Sequence, residues 1–263
     1  GIAMKFAVSS LSFMGPGITD MANLPPQVGV EIFYEWGSSD YWESSLKLIM
    51  DGREGSFSIH SPFVYVDVSS PLKAEDIFAV LQEPFDLYHR YNGEFYAIHP
   101  NGVVATEDTQ EAEEMRKRSL DRLFRFDEIC TKHGVQMVVE NVAFTRGKRT
   151  LFNQEQFLAI FEQLPHLKCL IDTGHAALGD FNILEVQARL KDRILGYHVH
   201  DNNGQMDQHL RIGKGIINWN EFAEGFRTYT PNSTLVFEYN NALVADYAED
   251  MEELTKRITN SPR

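Results

Sequence analysis

The feature that most constrains the fold is a regular alternation of short apolar runs with longer amphipathic runs. Each short run is rich in β-branched or aromatic residues and ends in or just before a polar residue, as buried parallel strands do. The predicted strands are Lys5–Ser9, Val28–Phe33, Ser56–His60, Phe95–His99, Gln136–Glu140, Leu167–Asp172, Ile194–His198 and Thr234–Glu238. Eight such repeats in 263 residues predict a single (β/α)8 TIM barrel that occupies residues 1–263.

The runs between these strands have the period of amphipathic helices. Asp108–His133 is the clearest, with charged residues on one face and leucine and phenylalanine on the other. Asn153 is the predicted N-cap of a second helix, Gln154–Gln163. No linker rich in Pro, Gly or Ser divides the chain, which supports one domain. Residues 1–3 are expected to be a cloning remnant before a native Met4.

Composition narrows the class of protein. Cys130 and Cys169 both lie in apolar contexts, so buried free thiols and a cytoplasmic location are expected rather than disulfides. A formal net charge of -14 opposes binding to a polyanion, whose affinity depends on Lys and Arg at phosphates. No apolar run approaches the roughly eighteen residues of a membrane span, so no membrane partner is expected.

Ionisable residues occupy the last positions of the predicted strands. In a barrel, the carboxyl ends of all strands meet at one mouth, so residues that are distant in sequence become neighbours. One strand-end histidine or aspartate is more often a hydrogen-bonded loop residue than a ligand, but a group of six would be costly to bury without a compensating cation. We therefore expect a divalent-metal site there. The residues are His60, His99, Glu140, Asp172, His198 and Glu238.

Two local motifs extend this group. In Asp172-Thr-Gly-His175, a carboxylate and an imidazole three residues apart resemble a chelate, and the glycine permits a tight backbone between them. In His198-Val-His200-Asp201, either histidine could be the ligand, because alternate residues of a strand share a face. A second pair, Asp207-Gln-His209, follows in the next loop.

Taken together, these pieces resemble the xylose-isomerase-like TIM-barrel superfamily over nearly the full chain. That superfamily includes endonuclease IV, the ketose 3-epimerases, hydroxypyruvate isomerase and the inositol-catabolism isomerases. The matching pieces are His60-Ser-Pro, His99-Pro, Val-Val-Glu140-Asn, Ile-Asp172-Thr-Gly-His175, His198-x-x-Asp201, Asp207-x-His209 with Gly-Lys-Gly, and Val-Phe-Glu238.

The resemblance implies a core metal site formed by Glu140, Asp172, His198 and Glu238. It favours His198 over His200, because the family histidine stands three residues before an aspartate. It also implies candidate further ligands, which complete the three-zinc cluster of endonuclease IV and which serve substrate hydroxyls in isomerase-like members. These are His60, His99, His175, Asp207 and His209. One to three ions, zinc or manganese, are expected.

The function expected first is a divalent-metal-dependent sugar or sugar-phosphate isomerase or epimerase. The metal would hold a carbonyl and a neighbouring hydroxyl oxygen, and Glu140 and Glu238 would move protons to and from an enediolate. Candidate substrate contacts are His175, Arg211, Lys214, Trp36 and Phe63. A homo-oligomer is compatible with this interpretation.

The alternative function is an endonuclease IV-like multi-zinc phosphodiesterase on abasic DNA. That reaction requires a grip on a bent duplex, and the loops Ser9–Gly17 and Glu31–Trp42 contain no Lys or Arg. The basic segment Thr145–Arg149 is better interpreted as a loop that closes over a small anionic substrate, or as a solvated turn. A third alternative is a barrel that binds metal and sugar without catalysis.

Overall fold

Eight parallel strands pair in sequence order and close into a barrel, so the predicted (β/α)8 fold is confirmed. The computed structural model describes residues 3–103, 106–147 and 150–260. The strands are β1 (Lys5–Ser9), β2 (Gly29–Phe33), β3 (Phe57–His60), β4 (Tyr96–Ile98), β5 (Met137–Glu140), β6 (Lys168–Asp172), β7 (Ile194–Val199) and β8 (Thr234–Phe237). Each bound lies within about one residue of the predicted one, since apolar runs specify strands well.

Helices cover the outside of the barrel. They are α1 (Ser39–Ile49), α2 (Ala74–Gln82), α3 (Phe85–Arg90), α4 (Thr109–Lys132), α5 (Gln154–Gln163), α6 (Thr173–Leu178), α7 (Ile183–Leu190), α8 (Trp219–Tyr229) and α9 (Val244–Thr259). Between β1 and β2, two 3-10 turns, Ser10–Phe13 and Ile18–Asn23, take the place of an α-helix.

The predicted helix starts are explained by side-chain caps. Asp108 accepts hydrogen bonds from the backbone N–H groups of Gln110 and Glu111, which fixes the start of α4. Asn153 and Gln156 form a reciprocal capping box at the start of α5. Because these side chains satisfy N–H groups that have no partner inside the helix, each helix begins where the sequence places the cap.

Side chains that point into the barrel form two layers. The deeper layer is a small apolar cluster made of Ala7, Phe95, Ala97, Val138, Leu170 and Val236. Because strand side chains alternate with a period of two, the residues two positions after Ala97, Val138, Leu170 and Val236 point into the same space nearer the mouth. Those residues are His99, Glu140, Asp172 and Glu238. The barrel therefore places its ionisable layer on an apolar floor, while a larger core fills the space between strands and helices.

Several other expectations can be checked against the structure. Cys130 and Cys169 are buried free thiols, as predicted. Among the described residues, no helix is long and apolar enough to cross a membrane. Gly1 and Ile2 of the expected cloning remnant, and Lys148 and Arg149 of the basic segment, lie outside the described residues.

Candidate metal centre

Glu140, Asp172, His198 and Glu238 meet at the mouth, where the adjacent strands β5 to β8 end. The Nδ1 atom of His198 lies 3.0 Å from Glu140 Oε1, 3.1 Å from Glu238 Oε2 and 3.7 Å from Asp172 Oδ2. Asp172 and His198 are direct register partners on β6 and β7. None of the four residues is more than 2% exposed. Parallel pairing thus gathers three carboxylates around one imidazole nitrogen.

The four atoms that face one another are all without a hydrogen-bond partner in the described structure. They are Glu140 Oε1, Asp172 Oδ2, His198 Nδ1 and Glu238 Oε2. A buried polar atom left without a partner costs about 1–3 kcal/mol, so a cation placed between four such atoms would be strongly stabilised. One imidazole nitrogen and three carboxylates form a donor set that suits zinc or manganese, so these residues fit a divalent ion.

Glu31 on β2 fixes the orientation of His198. The Nε2–H of His198 donates to Glu31 Oε2 at 2.5 Å, which leaves Nδ1 directed at the three carboxylates. Ser58 Oγ donates to the other oxygen of Glu31 at 3.0 Å, and Glu31 is completely buried. A carboxylate behind a ligand histidine holds its ring and raises its basicity. Glu31 lies within the predicted strand Val28–Phe33, and the overlapping loop range Glu31–Trp42 began too early, because β2 continues to Phe33 and period two points Glu31 into the barrel.

A second group of candidate ligands lies beside Glu140. The Nδ1–H of His60 donates to the Ser61 carbonyl at 2.8 Å, so its Nε2 faces His99 Nε2 at 3.0 Å. His99 Nε2 in turn lies 3.2 Å from Glu140 Oε2. Ligand atoms of His60, His99 and Glu140 all lie within 4.8 Å of one another, so these three side chains could hold a second ion.

A third group forms around Asp207. The Nδ1–H of His175 donates to the Asn141 carbonyl at 2.8 Å, and that of His209 donates to the Glu238 carbonyl at 2.9 Å. Both Nε2 atoms then lie 3.1 Å from Asp207 Oδ2. Backbone carbonyls commonly orient metal-ligating histidines in this way. The structure therefore brings all nine predicted candidate ligands together at one mouth.

The charges in this cluster shift the pKa values of its members. Burial lowers the pKa of His198, but Glu238, Glu31 and Glu140 outweigh burial and raise it well above its ordinary value. Burial likewise opposes protonation of His209, yet Asp207 and Glu238 raise its pKa to about 9. Burial raises the pKa of Glu238 to about 8. In the metal-free protein, protons therefore supply the positive charge that the carboxylates require.

The candidate substrate contacts divide into two sets. Phe63 is half-buried, with its ring 5.3 Å from the rings of both His60 and His99. Trp36 is 60% exposed and meets Tyr65 edge-on at 6.5 Å. Both therefore stand on loops that follow strands β2 and β3, at the mouth.

Arg211 and Lys214 lie elsewhere. Arg211 donates to both carboxylate oxygens of Asp250 at 3.0 and 2.9 Å and to Asp246 at 3.2 Å, so its guanidinium is engaged by α9. Lys214 is exposed and lines a surface depression with Arg211 and residues of α9. The guanidinium of Arg211 is directed at α9 because Asp246 and Asp250 attract it, and the role of Lys214 as a substrate contact stays a prediction.

The described part of the basic segment is tied to the loop that carries Asp207. The guanidinium of Arg146 donates to the carbonyls of Gly204 and Ala177 and to Asp180. Thr145 forms an antiparallel bridge with Met206, and the N–H of Asp207 donates to the Phe144 carbonyl at 3.1 Å. The described part of this segment thus holds the loop that carries Asp207, and Arg146 and Gly147 form a turn in which Gly147 is exposed. Closure of this segment over a small anionic substrate stays a prediction.

Comparison with known proteins agrees with this architecture. An uncharacterised protein of Methanocaldococcus jannaschii, MJ1614, is 28% identical over 215 residues, which cover 78% of this chain and 81% of that protein. A structure described as a D-tagatose 3-epimerase-like protein superposes with a TM-score of 0.81 at 23% identity, covering 98% of both chains. The IOLI protein with a bound zinc atom superposes with a TM-score of 0.76 at 16% identity, covering 98% of this chain and 99% of that one.

A known family profile also matches most of the chain. Residues 29–257 match the sequence profile of the family described as "Xylose isomerase-like TIM barrel". The matched range includes every candidate ligand named above, from His60 to Glu238. The chain therefore belongs to the xylose isomerase-like TIM-barrel family.

Proposed function

We propose that this protein is a divalent-metal-dependent isomerase or epimerase of small sugars. The observation that carries the proposal is the pair of carboxylates, Glu140 and Glu238, that flank His198 Nδ1 at 3.0 and 3.1 Å. They come from strands β5 and β8, which are separated by two strands of the barrel. Two carboxylates placed around one point can serve two faces of one carbon atom, as epimerisation requires.

The two carboxylates differ in protonation, which supports an acid and base pair. The histidines His198 and His99 outweigh burial and hold the pKa of Glu140 well below its ordinary value. Burial raises the pKa of Glu238 to about 8. In the metal-free protein at neutral pH, Glu140 is therefore ionised and Glu238 is protonated, so Glu140 is the better base and Glu238 the better acid. Epimerisation requires a base that accepts a proton from one face of a carbon and an acid that delivers one to the other face, and exchange with solvent restores both groups afterwards.

The residues that would hold the ion are Glu140, Asp172, His198 and Glu238. When bound, a divalent ion supplies Lewis acidity that makes the C–H group beside a sugar carbonyl more acidic. The protein contributes an apolar floor beneath the ligands, since Val138, Leu170 and Val236 are completely buried and lie one step deeper in the barrel. Apolar surroundings strengthen the electrostatic interactions on which the proton transfers depend.

The surroundings of the mouth favour a sugar without a phosphate group. Guanidinium groups are common phosphate ligands, but those of Arg211 and Arg146 already donate hydrogen bonds to carboxylates and carbonyls of the protein. Trp36 and Phe63 offer aromatic faces instead, and Trp36 is largely exposed. Aromatic faces pack against the apolar C–H faces of sugars without needing a charge on the ligand.

A second candidate, a multi-metal phosphodiesterase, is favoured by a specific observation. His60 and His99 converge on Glu140, while His175 and His209 converge on Asp207, so two further ions could be held beside the central one. Several divalent ions together can activate water and stabilise both oxygens of a phosphoryl displacement. Against this candidate stand the net charge of -14 and the lack of Lys or Arg in the first mouth loops.

The deciding experiment follows carbon-bound hydrogen exchange. Protein reconstituted with manganese or zinc is incubated in deuterated water with a panel of ketoses that includes D-tagatose and D-allulose, and with a ketose phosphate. We expect deuterium at the carbon beside the carbonyl and a new epimer or isomer, with the free sugar preferred over its phosphate. The chelated protein and the Glu238→Gln variant serve as matched controls.

A parallel assay tests the second candidate with the same preparations. A duplex that contains one abasic site is incubated with the reconstituted protein, and nicking is followed on a denaturing gel. Nicking that depends on metal, together with no deuterium exchange into any sugar, would replace the isomerase proposal by the phosphodiesterase. Metal and sugar binding without either reaction would leave a binding protein.

A further inference from the structure

His200 is a buried imidazole that the proposed chemistry does not use. It follows His198 by two residues on the same face of the chain and is completely buried at the mouth. Its ring stacks on that of His209 at 4.1 Å between centroids, with an interplanar angle of 7°. A polar side chain in such a place needs a partner, and the identity of that partner indicates its role.

The partner of His200 is Asp172. The Nε2–H of His200 donates to Asp172 Oδ1 at 2.7 Å. The same oxygen also accepts the backbone N–H of His175 at 2.8 Å. With Oδ1 occupied by two donors, the other oxygen, Oδ2, is left facing His198 Nδ1 at 3.7 Å without a hydrogen bond. His200 thus helps to determine which oxygen of Asp172 is presented to the centre.

The two residues between Asp172 and His175 hold His200 in place, Thr173 at its backbone and Gly174 at its ring. The Thr173 hydroxyl accepts a hydrogen bond from the backbone N–H of His200 at 3.1 Å and donates to the backbone carbonyl of the same residue at 2.7 Å. At Gly174, a Cβ atom would lie only 2.2 Å from His200 Cε1, so any larger residue would displace the ring. The Thr-Gly pair in the Asp172-Thr-Gly-His175 motif is therefore explained by the need to accommodate His200.

We propose that His200 is a positioning residue that holds Asp172 in the orientation required to bind the central metal ion. A donor fixed behind a ligand carboxylate prevents the carboxylate from rotating and reduces the reorganisation that binding requires. The inference rests on metal binding at the centre and not on the sugar reaction. Its metal-affinity readout can therefore succeed or fail independently of the isomerase proposal.

Two other roles for His200 make different predictions. It could contribute only by filling volume, in which case an apolar residue of similar size would replace it. It could also be a ligand itself, because its Nδ1 lies 4.0 Å from Asp207 Oδ1. In that case any replacement without a ring nitrogen would remove an ion from the protein, whether or not the hydrogen bond to Asp172 is kept.

The test compares three variants by zinc affinity, measured in competition with a chelator, and by the number of ions bound per chain. His200→Leu keeps volume but removes the donor, and His200→Gln keeps an N–H donor near the position of Nε2. Gly174→Ala keeps the histidine at position 200, but the added methyl group displaces its ring. Tyr197→Phe, on the opposite face of β7, is the matched control. The visible absorption of the Co²⁺-substituted proteins reports ligand geometry directly.

We expect His200→Leu and Gly174→Ala to weaken zinc binding by about 10–100-fold and to alter the Co²⁺ spectrum, while His200→Gln and Tyr197→Phe stay near the wild type. Wild-type affinity and spectrum in His200→Leu would overturn the inference in favour of packing. Loss of one ion in both His200→Leu and His200→Gln would overturn it in favour of a ligand. If His200→Leu fails to fold, wild-type affinity in Gly174→Ala would still refute the proposal.

Discussion

Glu31 allows a quantitative test of how the centre is held together. Glu31→Gln keeps the shape of the side chain but removes the charge that faces His198 Nε2 at 2.5 Å. Replacing a partner behind a metal-ligating histidine commonly weakens metal binding by about 10–100-fold, which is about 1.4–2.7 kcal/mol. Because Glu31 is completely buried, bulk water cannot compensate for the lost charge, so we expect an effect within this range.

The assay is thermal unfolding with and without saturating zinc. A tenfold loss of affinity at fixed zinc concentration removes about 1.4 kcal/mol of ligand stabilisation, which corresponds to a decrease in Tm of roughly 3–6 °C for a protein of this size. Glu94→Gln is the control, since Glu94 accepts from Thr234 Oγ1 near the start of β8, away from the mouth. If Glu31→Gln responds to zinc as strongly as the wild type does, the reasoning about His198 is refuted.

Three further outcomes are expected. Glu238→Gln should reduce sugar turnover by at least about 10²-fold with an unchanged circular dichroism spectrum, because an amide cannot deliver the proton; retained turnover would eliminate the proton shuttle. Metal affinity should increase between pH 6 and pH 9, because metal must displace protons from Glu238, whose pKa is raised to about 8, and from His209, whose pKa is raised to about 9. Titration calorimetry in buffers of different ionisation enthalpy measures the number of protons released. Metal binding that does not depend on pH would contradict this prediction. Arg211→Ala should lower the free energy of unfolding in urea by about 1–3 kcal/mol, because its pairing with Asp250 is lost. The KM for a sugar should not change. A tenfold higher KM would instead show that Arg211 contacts the substrate.

The barrel and the position of its ionisable layer were predictable because both follow from local patterns. An apolar run specifies a strand, and the period of two fixes which side chains share a face, so the residue at each strand end could be assigned to the mouth. Asp172 and His198 illustrate this, since each was located by the end of its own strand and the two prove to be register partners.

The residues that sequence reasoning missed depend on contacts between distant segments. Glu31 lies inside a predicted strand and shares the inward face, but only the closed barrel shows that His198 is its partner. Arg211 follows a candidate ligand by two residues, yet its partner was decided by α9, which begins more than thirty residues later. Arg146 could not be assigned to the loop of Asp207 without the bridge between Thr145 and Met206.

The most direct test of the central claim is the metal content of the purified protein, measured by mass spectrometry after expression without added metal or chelator. We predict at least one zinc or manganese ion per chain, and loss of the central ion in an Asp172→Asn variant that retains the wild-type fold. Two or three ions would show that the flanking groups around His60 and Asp207 are also occupied. A protein that carries no ion, and whose unfolding temperature does not change with zinc or manganese, would rule out a metal centre at the mouth.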